Sequence, residues 1–143
     1  PIPFINWFLA QPNAESLGNA KFITMMTLAM APCYAPNLKQ PTLLGDLFFD
    51  TKTGAIIDDI WQRYLAWDPV RMVETYQTNL KRLKWIHLDC GKQDEYGMQL
   101  GHRQIAAKLE QCGIPHYLNE YDGGHSGQQW RFSERIQLML EKM

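Results

Sequence analysis

The 143 residues suffice for one domain of ordinary size, and a hydrophobic content of 45% suffices for a buried core, which argues against disorder. The formal net charge of -1 argues against a basic surface for nucleic acid or acidic lipid, so neither is expected as a partner. Three cysteines without a CxxC spacing argue against a disulfide framework or a structural zinc site, and they favour a reducing, cytoplasmic compartment.

The amino-terminal third predicts one helix between irregular segments, and its start lacks an initiator Met and a signal peptide, which indicates a processed product or a fragment. Residues 1–13 contain aromatics and prolines and predict an irregular segment, followed by helical character from Phe22 to Ala31. The apolar run that begins at Phe22 is too short to span a bilayer, so no membrane partner is expected. Three prolines in residues 32–41 predict an extended loop, and residues 43–54 predict a loop that ends in a turn.

Two further helices are predicted before the first strand. Apolar side chains in residues 56–67 recur at the spacing of one helix face, which predicts an amphipathic helix. Asp68 and Pro69 suit the N-cap and the first turn of another helix, which is expected to extend to about Leu83.

Strands and helices alternate in the remaining residues. The predicted elements are a strand over residues 84–90, a helix over 100–111, a strand over 116–121 and an amphipathic helix over 128–143. This β-α-β-α order with short loops predicts an α/β fold with parallel strands and a right-handed crossover.

A candidate acid and a candidate base follow the two predicted strands. Asp94 lies in the turn after the first strand, and His125 follows the glycine pair after the second. Sites in open parallel sheets gather at the carboxyl ends of the strands, so these two side chains are expected to lie close together. An Asp that orients an imidazole lets the His act as general base and then as general acid. The alternative is that Asp94 caps the next helix and His125 is an exposed turn residue.

No convincing nucleophile accompanies this pair. Ser126 lies in GHSGQ, which departs from the G-x-S-x-G nucleophile elbow at Gln128, and an elbow serine would precede its acid and its His along the chain. No elbow surrounds Ser16 or Ser133. The position of Cys90 in an apolar strand favours a buried, inert thiol over the alternative of a Cys-dependent hydrolase.

A metal site is not expected either. The side chains nearest to a metal-binding set are Asp89, Asp94, His102 and His125. Their spacing matches neither H-x-x-x-H nor H-E-x-x-H, so no metal ligand is predicted.

Two motifs around the acid and the base resemble the esterase branch of the α/β-hydrolase family, which includes esterase D-like and enterochelin-esterase-like enzymes. They are LDCGKQDEYG at residues 88–97 and YDGGHSG at residues 121–127. Segments farther upstream look similar as well, so the resemblance covers about Phe22 to Met143. It implies the C-terminal part of an α/β-hydrolase fold, with Asp94 as triad acid, His125 as general base, a small-molecule ester as substrate and no cofactor.

The nucleophile elbow and the oxyanion-hole loop of that family have no counterpart in this chain, since both belong to earlier strands. The resemblance then makes residues 1–83 a helical excursion before the penultimate strand, and residues 84–143 a C-terminal β-α-β-α unit of the same incomplete domain. Aromatic side chains of the excursion are expected either to wall a substrate pocket or to pack as core. The candidates are Phe48, Trp61 and Trp67.

Two strands are too few for an independent parallel sheet, because their inner edge would be unpaired. The sequence therefore predicts a serine-type carboxylesterase or acyl hydrolase whose nucleophile and N-terminal half lie outside this chain, in the same or a second polypeptide. An unpaired edge also favours association of identical chains. The alternative function is a non-catalytic α/β interaction module without a nucleophile.

Overall fold

The computed structural model of the chain describes residues 2–10 and 19–142. These residues belong to two compact units, Pro1–Trp67 and Asp68–Met143. The predicted boundary after residue 83 came from the resemblance to a hydrolase and stays a prediction. Ser16 lies outside the described residues. None of the helices in the described ranges is long and apolar enough to cross a membrane.

The described part of the first unit contains three helices. They are α1 (Ile2–Leu9), α2 (Asn19–Tyr34) and α3 (Asp58–Leu65). Helix α1 corrects the prediction of an irregular segment for Ile2–Leu9, because Pro3 falls in the first turn, where its missing N–H costs no helical hydrogen bond. Residues 1 and 11–13 of the predicted segment lie outside the described residues. Helix α2 continues through Pro32 into the predicted loop, since the N–H of Ala35 still donates to the carbonyl of Ala31 at 2.9 Å.

The loop between α2 and α3 is fastened to α3. Residues 43–54 form a loop, as predicted, and its closing turn places Gly54 at a φ of 76°. The buried Tyr64 of α3 donates from its hydroxyl to the carbonyl of Asp46 at 3.0 Å. The neighbouring Arg63 forms an ion pair with the Asp46 carboxylate at 3.0 Å. These contacts hold the loop against one turn of the helix.

The described part of the second unit contains two strands and four helices. They are α4 (Pro69–Thr75), α5 (Gln77–Leu80), β1 (His87–Gly91), α6 (Met98–Gln111), β2 (Tyr117–Tyr121) and α7 (Arg131–Lys142). Asp68 is the N-cap of α4, as predicted, and its side chain accepts from the N–H of Val70 at 3.0 Å. The helix that was predicted to reach Leu83 is broken at Tyr76, whose φ of -106° and ψ of 15° lie outside the helical region.

The two strands are parallel, and α6 connects them. Their register pairs His87 with Tyr117 at one end and Gly91 with Tyr121 at the other. Helix α6 ends at Gln111, and Gly113 with a φ of 63° follows as the predicted glycine stop. The described residues therefore confirm a mixed α/β structure with parallel strands.

Strand β1 has an apolar face and a polar face, because side chains alternate along a strand. Leu88 points to the apolar face and packs against a buried cluster consisting of Val73, Leu109 and Ile114. His87 and Asp89 point to the opposite face, where Asp89 bonds to Arg131 of α7. The apolar face holds α4 and α6 against the sheet, whereas the polar face holds α7.

Gly91 sits where the turn after β1 meets the segment after β2. A Cβ atom at Gly91 would overlap the carbonyl oxygen of Gly123 and lie 2.7 Å from that of Gly124. We expect Gly91→Ala to destabilise the chain by about 3 kcal/mol in urea unfolding, because both clashing oxygens belong to the backbone and the Gly123 carbonyl also accepts from the N–H of Gln93. The matched control is Gly101→Ala inside α6, where a Cβ meets nothing within 4 Å. That variant should gain about 0.5–1 kcal/mol from helix propensity. Equal effects of the two substitutions would contradict the close approach.

Candidate active site

Asp94 lies in the turn between β1 and α6 and is buried, with 7% of its surface exposed. Its Oδ1 accepts from the backbone N–H of Tyr96 at 2.9 Å and, more distantly, from that of Met98 at 3.5 Å. These bonds cap the turn at the start of α6 and leave Oδ2 for another partner. One carboxylate thus closes the turn before α6 through Oδ1 and presents Oδ2 to the His segment. The N-cap position of α6 is Gly97, and not Asp94 as the alternative interpretation held.

His125 lies in the segment between β2 and α7, and its ring Nδ1 is 3.0 Å from Oδ2 of Asp94. The ring of Tyr96 stands edge-on to the imidazole, with centroids 4.8 Å apart. The His125 side chain is 47% exposed, and no hydrogen bond within the described ranges involves its Nε2. The imidazole is thus oriented at one nitrogen and accessible at the other.

The pKa of Asp94 lies below its usual value. Burial raises this pKa, but the hydrogen bonds from His125, from the N–H of Tyr96 and from that of Met98 outweigh burial. The carboxylate is therefore ionised at neutral pH, as a group that orients an imidazole and stabilises its charged form must be.

A cavity of about 440 Å³ borders His125 on the polar side of the sheet. Its wall includes Asp89, Tyr121, Ser126, Arg131 and Phe132. The side chains of Ser126 and Phe132 are exposed, whereas Arg131 is buried. The imidazole thus opens onto a space large enough for a small molecule or for a side chain of another polypeptide segment.

Asp89 is the centre of an ion cluster that sequence reasoning missed. Both Nε and Nη2 of Arg131 donate to its carboxylate at 3.1 Å, and Asn119 of β2 donates at 2.6 Å. The Nε of Arg135 lies 3.3 Å from the same carboxylate. The spacing of the two arginines, four residues apart on α7, was the sequence signal that one helix face carries both charges.

The ion cluster also joins the two ends of the segment between β2 and α7, which carries His125. The Arg131 guanidinium lies 4.0 Å from the centre of the Tyr121 ring, so the residue that ends β2 contacts the residue that begins α7. Arg131 thereby joins both ends of the intervening segment and is itself held by Asp89. Burial raises the pKa of Asp89, but the hydrogen bonds from Arg131 and Asn119 and the charge of Arg135 lower it by more. The net pKa is therefore below the usual value.

The two nucleophile candidates within the chain do not contact His125 by any hydrogen bond in the described ranges. Cys90 is buried, and burial, followed by the charges of Glu120, Asp89 and Asp94, raises the pKa of its thiol. A thiol in this state is a poor nucleophile. The exposed Ser126 only accepts at its backbone carbonyl, from the side chain of Gln128 at 3.5 Å.

The candidate substrate-binding aromatics lie in the first unit. The Phe48 ring packs on Trp61, with centroids 4.9 Å apart, and on the buried Tyr64 at 5.0 Å. These contacts fit the interpretation of Phe48 and Trp61 as core. Trp67 at the end of the unit is 56% exposed. A role for any of the three in substrate binding stays a prediction.

The residues that came nearest to a metal-binding set are engaged elsewhere. His102 places its Nδ1 2.8 Å from the carbonyl of Met98, one turn earlier in α6. Asp89 and Asp94 have the partners given above. Across residues 2–10 and 19–142, no group of three His, Cys, Asp or Glu side chains is arranged to hold a metal ion.

No protein-family model matches the sequence, and none of the curated proteins matches it. Among solved structures, a ferulic acid esterase is similar to this chain with a TM-score of 0.43 and 16% sequence identity. The aligned region covers 68% of this chain and 37% of the esterase chain, so this chain spans little more than a third of that protein's length.

Proposed function

We propose that this chain is part of a serine-type carboxylic ester hydrolase, in which it supplies the acid Asp94 and the general base His125. The observation that carries the proposal is the 3.0 Å contact between Asp94 and Nδ1 of His125, with Nε2 left accessible. The two residues follow the carboxyl ends of adjacent parallel strands, the place where sites of open α/β sheets form.

In the proposed reaction a serine outside this chain attacks the ester carbonyl while Nε2 of His125 removes the hydroxyl proton. Asp94 holds the imidazole by Nδ1 and stabilises the imidazolium that forms. His125 then donates the proton to the alkoxide that leaves, and an acyl-enzyme remains. His125 then deprotonates a water molecule, which attacks the acyl-enzyme, and it returns that proton to the serine oxygen as the ester bond to the serine breaks and the carboxylic acid is released. No step requires a cofactor.

The nucleophile is assigned to another polypeptide segment for two reasons. In the described part of the chain, Cys90 is buried with a raised thiol pKa and Ser126 makes no hydrogen bond to His125, and β1 has an unpaired edge. The N–H of Tyr117 donates to the carbonyl of Ile86, and that of Lys92 to the carbonyl of Tyr121. Every second residue from Ile86 to Lys92 therefore bonds to β2, and the residues between them, including His87 and Asp89, direct their backbone N–H and C=O groups away from β2. In the described residues the sheet has only these two strands, so that edge is unpaired.

An apolar groove of about 430 Å³ on the α4–α6 side of β1 accompanies the unpaired edge. Side chains from β1 and from the helices on its apolar face line it, among them Leu88, Met72 and Leu109. The groove shares no lining residue with the cavity at His125. We infer that the N-terminal half of the hydrolase, in the same or a second polypeptide, contributes the strand that pairs with β1 and the apolar side chains that fill this groove.

Hydrolysis of a short-chain chromogenic ester tests this division of the site. We expect turnover by the protein that contains both halves, and no turnover by the isolated 143-residue chain. Mixing the isolated chain with the nucleophile-bearing part should restore activity if the two are separate polypeptides. Saturable turnover by the isolated chain would contradict the assignment of the nucleophile, and an inactive complete protein would favour the non-catalytic interaction module.

A further inference from the structure

Two consecutive carboxylates contact His125, whose half-exposed ring lies in an irregular segment between β2 and α7. Asp94 accepts from the ring Nδ1 at 3.0 Å. Glu95, the next residue, accepts from the backbone N–H of His125 through its Oε2 at 3.1 Å. The ring and the main chain of one residue are thus tied to adjacent positions of the turn after β1.

The Glu95 contact is one of several links between this turn and the segment after β2. Closer to the strands, the backbone N–H groups of Lys92 and Gln93 donate to the carbonyls of Tyr121 and Gly123 at 2.8 and 3.0 Å. These backbone bonds extend the strand pairing as far as the glycine pair. Beyond it, where the backbone bonds stop, the Glu95 side chain reaches the main chain of the residue proposed to transfer the proton.

The Glu95 carboxylate fits closely against the neighbouring backbone. A Cβ atom at Gly124 would lie 3.0 Å from its Oε2, so a larger residue there would push the carboxylate away. The backbone N–H of Glu95 itself and that of His125 lower the pKa of Glu95 below its usual value. The carboxylate is therefore ionised at neutral pH and acts as a charge-assisted acceptor.

We propose that Glu95 is a positioning residue of the hydrolase: it fixes the main chain of His125 while Asp94 fixes the ring, so that Nε2 stays directed at the nucleophile. Glu95 touches neither substrate nor the reacting atoms and acts through His125 alone. The proposal rests on the proposed function, since a directed Nε2 has a meaning only if His125 transfers a proton. An error of about 1 Å in the place of such a group costs catalysis even when binding is intact.

Three variants separate this role from a general structural one. Glu95→Ala removes the acceptor, whereas Glu95→Gln keeps an amide oxygen that can accept the same hydrogen bond. Glu110→Ala, in the last turn of α6, is the control that removes an exposed carboxylate elsewhere. Each variant is measured in the complete protein, by hydrogen exchange of the His125 amide with the Leu88 amide of β1 as internal reference, and by kcat and KM for an ester.

We expect Glu95→Ala to speed exchange at His125 by about tenfold, with Leu88 unchanged, because a charge-assisted hydrogen bond is lost. The kcat should fall about tenfold with little change in KM. Glu95→Gln should restore both quantities to within about threefold of the wild type, since a neutral acceptor keeps part of the bond, and Glu110→Ala should leave both unchanged. Unaltered exchange in Glu95→Ala would overturn the proposal, and so would faster exchange with an unaltered kcat. A wild-type protein without turnover would instead overturn the proposed function. The exchange rate of the His125 amide in Glu95→Ala still tests the Glu95 contact in that case, so the two failures are distinguishable.

Discussion

Replacement of His125 by Ala in the complete hydrolase is expected to lower ester turnover by at least about 10⁴-fold, because the proton on the attacking serine then has no acceptor. The structure motivates this magnitude, since the His125 ring is held by Asp94 at Nδ1 and is open at Nε2. Asp94→Asn should lower kcat by roughly 10²–10⁴-fold, since an amide no longer stabilises the imidazolium and permits the wrong ring tautomer.

The two substitutions should not be additive, because Asp94 acts only through His125. The double variant is therefore expected to be no slower than His125→Ala alone. His102→Ala is the matched control, since that imidazole bonds to the Met98 carbonyl within α6 and not to the site. Unchanged turnover in both His125→Ala and Asp94→Asn would exclude the assignment, whatever the rate of the control.

Asp89→Asn is expected to destabilise the chain by about 3 kcal/mol in urea unfolding, since it removes the carboxylate that both guanidinium groups contact. Arg131, which is 8% exposed, loses an ionised partner for both of its hydrogen bonds, and Arg135 loses its ion pair. The matched control is the exposed pair of Lys108 and Glu74, 2.5 Å apart, for which Glu74→Gln should change the stability far less, because solvent screens the pair.

The effect of Asp89→Asn should shrink in acid. The native pKa of Asp89 is depressed, so the stability that its ionised form contributes is present above its unfolded pKa of about 3.9 and is lost as the pH falls through the native value. Urea unfolding of wild type and variant at neutral pH and at successively lower pH measures the difference. A difference that stays constant down to the acid limit would show that the Asp89 charge does not stabilise the fold.

Most elements of the second unit could be predicted from the sequence because they carry a local signal, whereas the break at Tyr76 between α4 and α5 was missed. Asp68 and Pro69 start α4, Gly113 ends α6, and short apolar runs form the two strands. The contact between Asp94 and His125 was also predictable, since parallel strands bring their carboxyl ends together. The structure adds that the same Asp94 carboxylate accepts from the N–H of Tyr96 in the turn before α6, whose N-cap position is Gly97.

The parts that sequence reasoning missed depend on contacts between distant residues. The ion cluster joins Asp89 of β1 to Arg131 of α7, 42 positions apart, and no local pattern reveals that pairing. The bond from the His125 N–H to Glu95 depends on how closely Gly124 approaches the turn. Helix α1 was missed because its prolines and aromatics weaken the helical pattern, although Pro3 in the first turn does not oppose a helix.

Fluorophosphonate labelling of the native protein preparation, read by intact mass, tests the central claim most directly. The reagent modifies a serine only when a general base activates it, so the labelled residue identifies the partner of His125. We predict one label, on a serine of a co-purifying polypeptide or of a longer form of this chain, and its loss in His125→Ala. A label on Ser126 of the 143-residue chain, or no label on any polypeptide of the preparation, would contradict the account.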